Sequence, residues 1–342
     1  MRGRILLAIT LFTAASLSCA QSSLPPQHDP SGDVEDTCKK IVATAPQPPV
    51  EAPGSFQSDC DSAAYYFGIG RPRDFVAARR CAYVERAKPD ETNSNIFRGP
   101  GVLSMIYANG EGTPRNVALA RRFTCENSWA APGELEGRLD LLKQIASATH
   151  PQHFDLCETA TSGLSEGWCE SIKTRRLDAV RNTKIEEIKA SLPPSAQASF
   201  HQLQAAEDRF EDLRVKNEID LSGTGRAAFS LEEQTALRNQ FMNNLKMLQK
   251  PMPATPANFA SADQELNAIY TKMRKALPPV ESRESDYGTI NFAGVRETQR
   301  AWVQLRDSWI SFVKLAYPSL PYEHIAATLT IQRTRQLRGI VP

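Results

Sequence analysis

What this 342-residue chain lacks narrows its fold and function first. No run of alternating apolar and polar residues persists long enough for a strand, so sheet architectures are not expected. No apolar stretch reaches the roughly 20 residues that a spanning helix needs. Charge is balanced, 40 Lys and Arg against 39 Asp and Glu, and no basic face is concentrated enough to mark a nucleic-acid binder. Histidine is scarce, with five in all, and none of the cysteine spacings is that of a zinc knuckle. Neither a metal nor a cofactor is therefore expected.

What is present begins with an export signal. Arg2 and Arg4 precede an apolar run from Ile5 to Phe12, and Ser18-Cys19-Ala20 has the small-x-small form of a signal-peptidase site. Residues 1–20 read as a signal peptide cleaved after Ala20. The rival reading, a lipidated Cys19, lacks the leucine usual three positions earlier. Export implies a periplasmic or secreted protein whose six remaining cysteines are in a compartment where disulfides persist. Six cysteines allow 15 connectivities. A helical hairpin turning near Arg71 would set Cys60 opposite Cys81, Cys157 and Cys169 could form a local clasp, and Cys38 with Cys125 follows by elimination.

Residues 21–58 carry seven prolines, among them Pro30, Pro46 and Pro49, and read as an irregular arm or linker. Over residues 59–150 a repeat appears. Gly68-Ile69-Gly70-Arg71-Pro72-Arg73-Asp74 followed by Ala78 is echoed by Gly110-Glu111-Gly112-Thr113-Pro114-Arg115-Asn116 followed by Ala120. Stacked helical hairpins have such periods, with Gly68 and Gly110 closing first helices, Asp74 and Asn116 capping second ones, and Ala78 and Ala120 allowing close packing. The pattern resembles Sel-one-like repeats, relatives of the tetratricopeptide helix pair, which implies a protein-contact surface, although two repeats make only a short one and a purely structural role competes. Leu139, Leu142 and Ile145 predict another helix. In residues 151–250 long helices are predicted over 172–192, 200–213 and 230–248, the last opened by a Ser230/Glu233 capping box.

Residues 259–342 hold two amphipathic stripes. Leu266, Ile269, Tyr270, Met273 and Leu277 mark one helix, opened by a Ser261/Gln264 capping box, and Trp302, Leu305, Trp309, Phe312, Val313 and Ala316 mark the other. The two stripes are expected to pack on each other. Ala262 to Asn267 with Tyr270, then Gln299-Arg300-Ala301-Trp302 with Arg306-Asp307, then Thr330, Arg333 and Leu337, resemble the LprI-type lysozyme-inhibitor family. The resemblance implies a helical envelope protein with a protein partner, a lysozyme or another envelope component. Members often carry cysteines near the places held here by Trp309 and Ala327, so packing of Trp309 is expected to stand in for that bridge. The fold class is then all-α: helical-hairpin repeats, followed by a helical bundle ending in a helical-hairpin LprI-like domain.

Chemistry-bearing motifs are few. Gly163-Leu164-Ser165-Glu166-Gly167 fits G-x-S-x-G, but no buried strand precedes it, so a cysteine-bounded turn is expected. His150 and His153 flank Pro151 in a loop without a glutamate motif, and Gly68-x-Gly70 follows a helix rather than the strand of a phosphate loop. Asn267, Arg306, Asp307 and Arg333 form a candidate interaction face, with the competing reading that their ion pairs and caps hold the hairpin. No catalytic constellation is expected. The sequence points to a non-catalytic interaction or scaffold module of the envelope, or alternatively to an inhibitor that occludes a lysozyme cleft. Against the alternative, the segment from Asn258 onward holds 11 Lys or Arg and 8 Asp or Glu, so it has no acidic face to steer toward a cationic enzyme.

Overall fold

Proline and glycine divide this chain into helices. In the computed structural model the described residues are 30–49, 60–88, 95–127, 130–150, 152–250, 258–280, 282 and 285–341. The expected signal peptide, with Cys19 and the expected cleavage point after Ala20, lies outside them, as do Pro151, Pro251, Pro253 and Pro256. The described residues form α-helices, short 3₁₀ pieces and turns, with no strand among them.

The N-terminal half is a stack of short helices. After α1 (Pro30–Thr44) come α2 (Ser62–Phe67), α3 (Phe75–Arg86), α4 (Pro100–Asn109), α5 (Val117–Glu126) and α6 (Pro132–Ser147). α2 packs on α3, α3 on α4, α4 on α5 and α5 on α6, and α1 lies against α5 and α6. The repeated glycines do what their position demands: Gly68 and Gly110 cap α2 and α4 at φ 71° and 73°, a left-handed conformation that glycine adopts without steric cost. Asp74 and Asn116 each accept a hydrogen bond from the backbone amide three residues on, and Ala78 and Ala120 are fully buried where helices meet.

Three disulfides tie this half together: Cys38–Cys125 holds α1 to α5, Cys60–Cys81 closes the first hairpin, and Cys157–Cys169 clasps a 3₁₀ turn at Leu156–Thr159 to the next helix. One expectation fails here. The proline-rich arm contains the regular helix α1, because its prolines bracket the stretch from Pro30 to Thr44 rather than interrupt it. Val34 and Cys38 bury against Leu139 of α6.

The C-terminal half is built from longer helices, α7 (Gly163–Ser191), α8 (Pro194–Glu218), α9 (Arg226–Leu248), α10 (Phe259–Ala276), α11 (Phe292–Ala316) and α12 (Tyr322–Arg338). One hydrophobic core runs through all six, from Ile188 and Phe200 through Phe241, Met273 and Trp309 to Leu337. The two amphipathic stripes both enter it but are not each other's main partners. α11 lies along α8, where the Phe200 and Phe312 rings meet tilted with centroids 5.3 Å apart, and α10 lies along α12. The apolar face of α8, invisible as a partner in the local pattern, takes the place expected for α10.

Both capping boxes are also corrected. α10 starts two residues earlier, with Asn258 accepting from Ser261 N. α9 starts at Arg226, which leaves Ser230 inside the helix, donating to the Arg226 carbonyl. Glu233 is instead an ion-pair partner of Arg214.

Candidate binding cleft

The serine motif resolves into packing. Gly163 to Gly167 forms the first turn of α7, nine residues ahead of the expected helix start, because Ser162 caps it and Glu134 accepts from the amides of Thr161 and Ser162 at 2.8 and 2.6 Å. Ser165 is fully buried and donates to Glu134 at 2.7 Å. A Cβ on Gly163 would stand 2.1 Å from the Thr224 carbonyl oxygen, and one on Gly167 would stand 3.0 Å from the Ala227 side chain. Both glycines let α7 approach the start of α9. His153 contacts Asn109 at 3.2 Å and Glu111 at 3.7 Å.

The four candidate face residues do not form one cluster. Asn267, exposed on α10, donates to Asp263 at 3.0 Å. Arg306 pairs with its neighbour Asp307 at 2.9 Å, and its guanidinium lies over the Trp302 and Phe259 rings at 5.4 and 5.8 Å. Arg333 is elsewhere, with none of its surface exposed. It grips Glu218 of α8 through two hydrogen bonds of 2.7 and 2.5 Å, donates to Gln299 at 2.9 Å, and lies 5.4 Å from the Phe210 ring. Its ion pair therefore holds α12 to a helix 115 residues earlier rather than closing the hairpin of α11 and α12.

A further grouping escaped the sequence reading. α7 and α8 are consecutive, yet α7 packs along α9 and α8 along α11. Between α7 and α8 this leaves a cleft of about 290 Å³ lined by Asp178, Arg181, Asn182 and Ile185, by Gln204, Glu207, Asp208 and Glu211, and by Arg238 and Phe241 of α9. The sequence did hold a signal for it. Glu207 stands four residues after Leu203 and three before Phe210, on the buried face of α8, and Glu211, Arg214 and Glu218 continue the same row at helical spacing.

Along that row most charges are matched. Glu218 receives Arg333 and Arg214, and Glu211 receives Arg238 through contacts of 2.6 to 3.1 Å. Arg238 reaches on to Asp178 at 2.7 Å, and Arg181 pairs with the same Asp178 and with Asn239. Glu207 has no hydrogen-bond or ionic partner among the described residues, and only 9% of its surface is exposed. Burial first, and then the charges of Glu211 and Asp208, push its pKa up to about 8. Burial also raises Asp208 and Glu211, outweighing the pull of Arg238 on each. Four carboxylates share the cleft with two arginines, so it carries net negative potential in a low-dielectric wall.

A family model described as Lysozyme inhibitor LprI matches residues 254–337, the segment that contains α10, α11 and nearly all of α12. No curated protein and no solved structure matches the chain.

Proposed function

We propose that this chain is an exported envelope protein that works as a non-catalytic interaction or scaffold module, with Sel-one-like hairpins in α2 to α5 and the LprI-like helices built onto one body. The match of residues 254–337 to an inhibitor family supports a protein partner, and three disulfides fit an oxidising compartment outside the cytoplasm. No helix among the described residues is long and apolar enough to cross a membrane.

The observation that carries the proposal is an unburied apolar strip on α7. Leu177 and Val180 stand one helical turn apart and remain exposed, Val180 at 65%. They sit one residue before, and so about 100° around the helix from, Asp178 and Arg181, which face the cleft. Exposed apolar residues beside a polar rim are the usual composition of a partner surface. Asn267 and Asp307 are proposed to add polar contacts on the outside of the C-terminal helices. The second reading, inhibition of a lysozyme by occluding its substrate cleft, is favoured by the family description alone.

The test is a titration of a muramidase with the folded mature chain, alongside binding to immobilised envelope proteins. Stoichiometric loss of muramidase activity establishes the inhibitor reading. Envelope-protein binding that disappears in L177D/V180D, with muramidase activity untouched, establishes the scaffold reading. A folded chain that does neither refutes both. The double variant is expected to unfold within about 0.5 kcal/mol of the parent, as surface substitutions do.

A further inference from the structure

We propose that the cleft between α7 and α8 binds an alkylammonium group, a primary amine carried on a short apolar stem. The inference comes from the row of buried charges on α8. Glu218 and Glu211 each meet an arginine of the chain itself, whereas Glu207, buried and facing the cleft, meets none among the described residues. Asp208, beside it on the cleft wall, has no ion pair either among those residues. A buried carboxylate without a partner is costly to ionise, and a ligand that brings the missing positive charge removes that cost on binding.

The shape of the cleft selects the kind of cation. Its carboxylates do not converge as metal ligands do: the one grouping of metal-ligating atoms within 4.8 Å of one another among the described residues is Cys60, Cys81 and Glu85, whose cysteines form a disulfide. A volume of about 290 Å³ is at the small end for ligand sites and suits one extended chain. Ile185 and Phe241 supply apolar wall for a stem, in the way that lysine methylenes lie along apolar surface. An ammonium is a compact charge with three donors. It suits three separate oxygen-bearing side chains, Glu207, Asp208 and Gln204, better than a planar guanidinium, which matches a single carboxylate.

Binding is coupled to a proton. Glu207 faces Asp178 and Arg181 from α7, Asp208 and Glu211 on its own helix, and Arg238 from α9, with the acids outnumbering the arginines. The amine must displace the proton that burial, and then the neighbouring acids, hold on Glu207, so affinity rises as pH passes through the upper-neutral range. This reading stands whether or not a lysozyme is the partner.

Calorimetric titration of the full chain with n-butylammonium chloride at pH 8.5 tests it, with n-butanol and sodium chloride as controls. Saturable one-to-one binding is expected, at least tenfold weaker at pH 6. E207Q should weaken it at least tenfold while remaining folded, since the amide copies the protonated acid, and D208N should weaken it in the same direction. Saturation by n-butanol, no saturation by about 10 mM, tenfold above the 1 mM scale of a weak site, or equal affinity in both variants overturns the proposal. Nα-acetyl-lysine methylamide separates the sources: if it binds like n-butylammonium the natural occupant is a protein lysine, and if it fails while n-butylammonium binds, the occupant is a free small amine.

Discussion

Arg333→Met removes the positive half of a buried ion pair and leaves a side chain of similar length. Glu218, with 2% of its surface exposed, would keep one hydrogen bond, from Arg214 at 2.7 Å, and lose two from Arg333. Gln299 would lose its donor as well. Breaking a buried pair from one side costs about 3–5 kcal/mol. The surviving Arg214 contact places the expected loss near the lower end, about 3 kcal/mol. In a cooperative unit of 150–250 residues each kcal/mol shifts Tm by roughly 2–4 °C, so a fall of about 6–12 °C is expected.

Replacing both partners should cost less than the sum of the single changes. In E218M/R333M neither charge of this pair is left buried alone, and Arg214 keeps Glu233. Denaturant unfolding followed by tryptophan fluorescence measures the cycle, since Trp302 and Trp309 lie in this core. A coupling of about 0.5–3 kcal/mol is expected for residues in one network. If R333M unfolds within 1 kcal/mol of the parent and loses only partner binding, the ion pair is not what holds α12, and Arg333 belongs to an interaction face after all.

Three further outcomes are expected. Glu207 has a pKa raised from its ordinary 4.5 to about 8, so the folded state binds its proton more tightly than the unfolded chain does. Its contribution is present below pH 4.5 and is lost as pH rises through 8. E207Q should therefore match the parent near pH 4 and exceed it in Tm at pH 8.5, and equal Tm differences at both values would show that the group is not buried as described. C38S/C125S opens a cross-link between positions 87 apart, worth about 4–5 kcal/mol on the chain-entropy model. Thermal unfolding and limited proteolysis should show a lower midpoint and early cleavage in α1; an unchanged midpoint would argue against the pairing. W309A empties a site with no exposed surface, beside Phe241 at 5.2 Å, and should cost about 3–5 kcal/mol by equilibrium unfolding. A loss under 1 kcal/mol would mean that Trp309 is not core.

What the sequence disclosed was local. The glycines at 68 and 110 and the caps at 74 and 116 were readable because a helix end satisfies its backbone within a few residues. Stripes of apolar residues gave the helices their existence and type. Partner choice was not readable in the same way: Trp302 and Trp309 announce a buried face, and nothing in their spacing says that α8 rather than α10 will cover it. The cleft was hidden for a related reason. Glu207, Glu211, Arg214 and Glu218 share a face of α8 with Leu203 and Phe210, and charged residues at such positions look in sequence like the solvated margin of the apolar stripe. Only α7, α9 and α12, closing over that side from three distant places, turn charged positions into buried ones. Arg333 was seen, but its partner lies 115 residues away and outside the segment that carries the family pattern.

That separation also sets an order of events in time. A ribosome adding about 5–20 residues per second needs roughly 6–23 s to pass from Glu218 to Arg333. Throughout that interval α8 has been made and α12, which carries Arg333, has not been completed. Glu218 can stay hydrated while it waits, and its charge disfavours the premature burial of α8 in a wrong docking. The pair of Glu218 with Arg333 can form only once Arg333 has emerged. For the export proposed above, a contact that completes the core late would help to keep the chain unfolded until it has crossed the membrane.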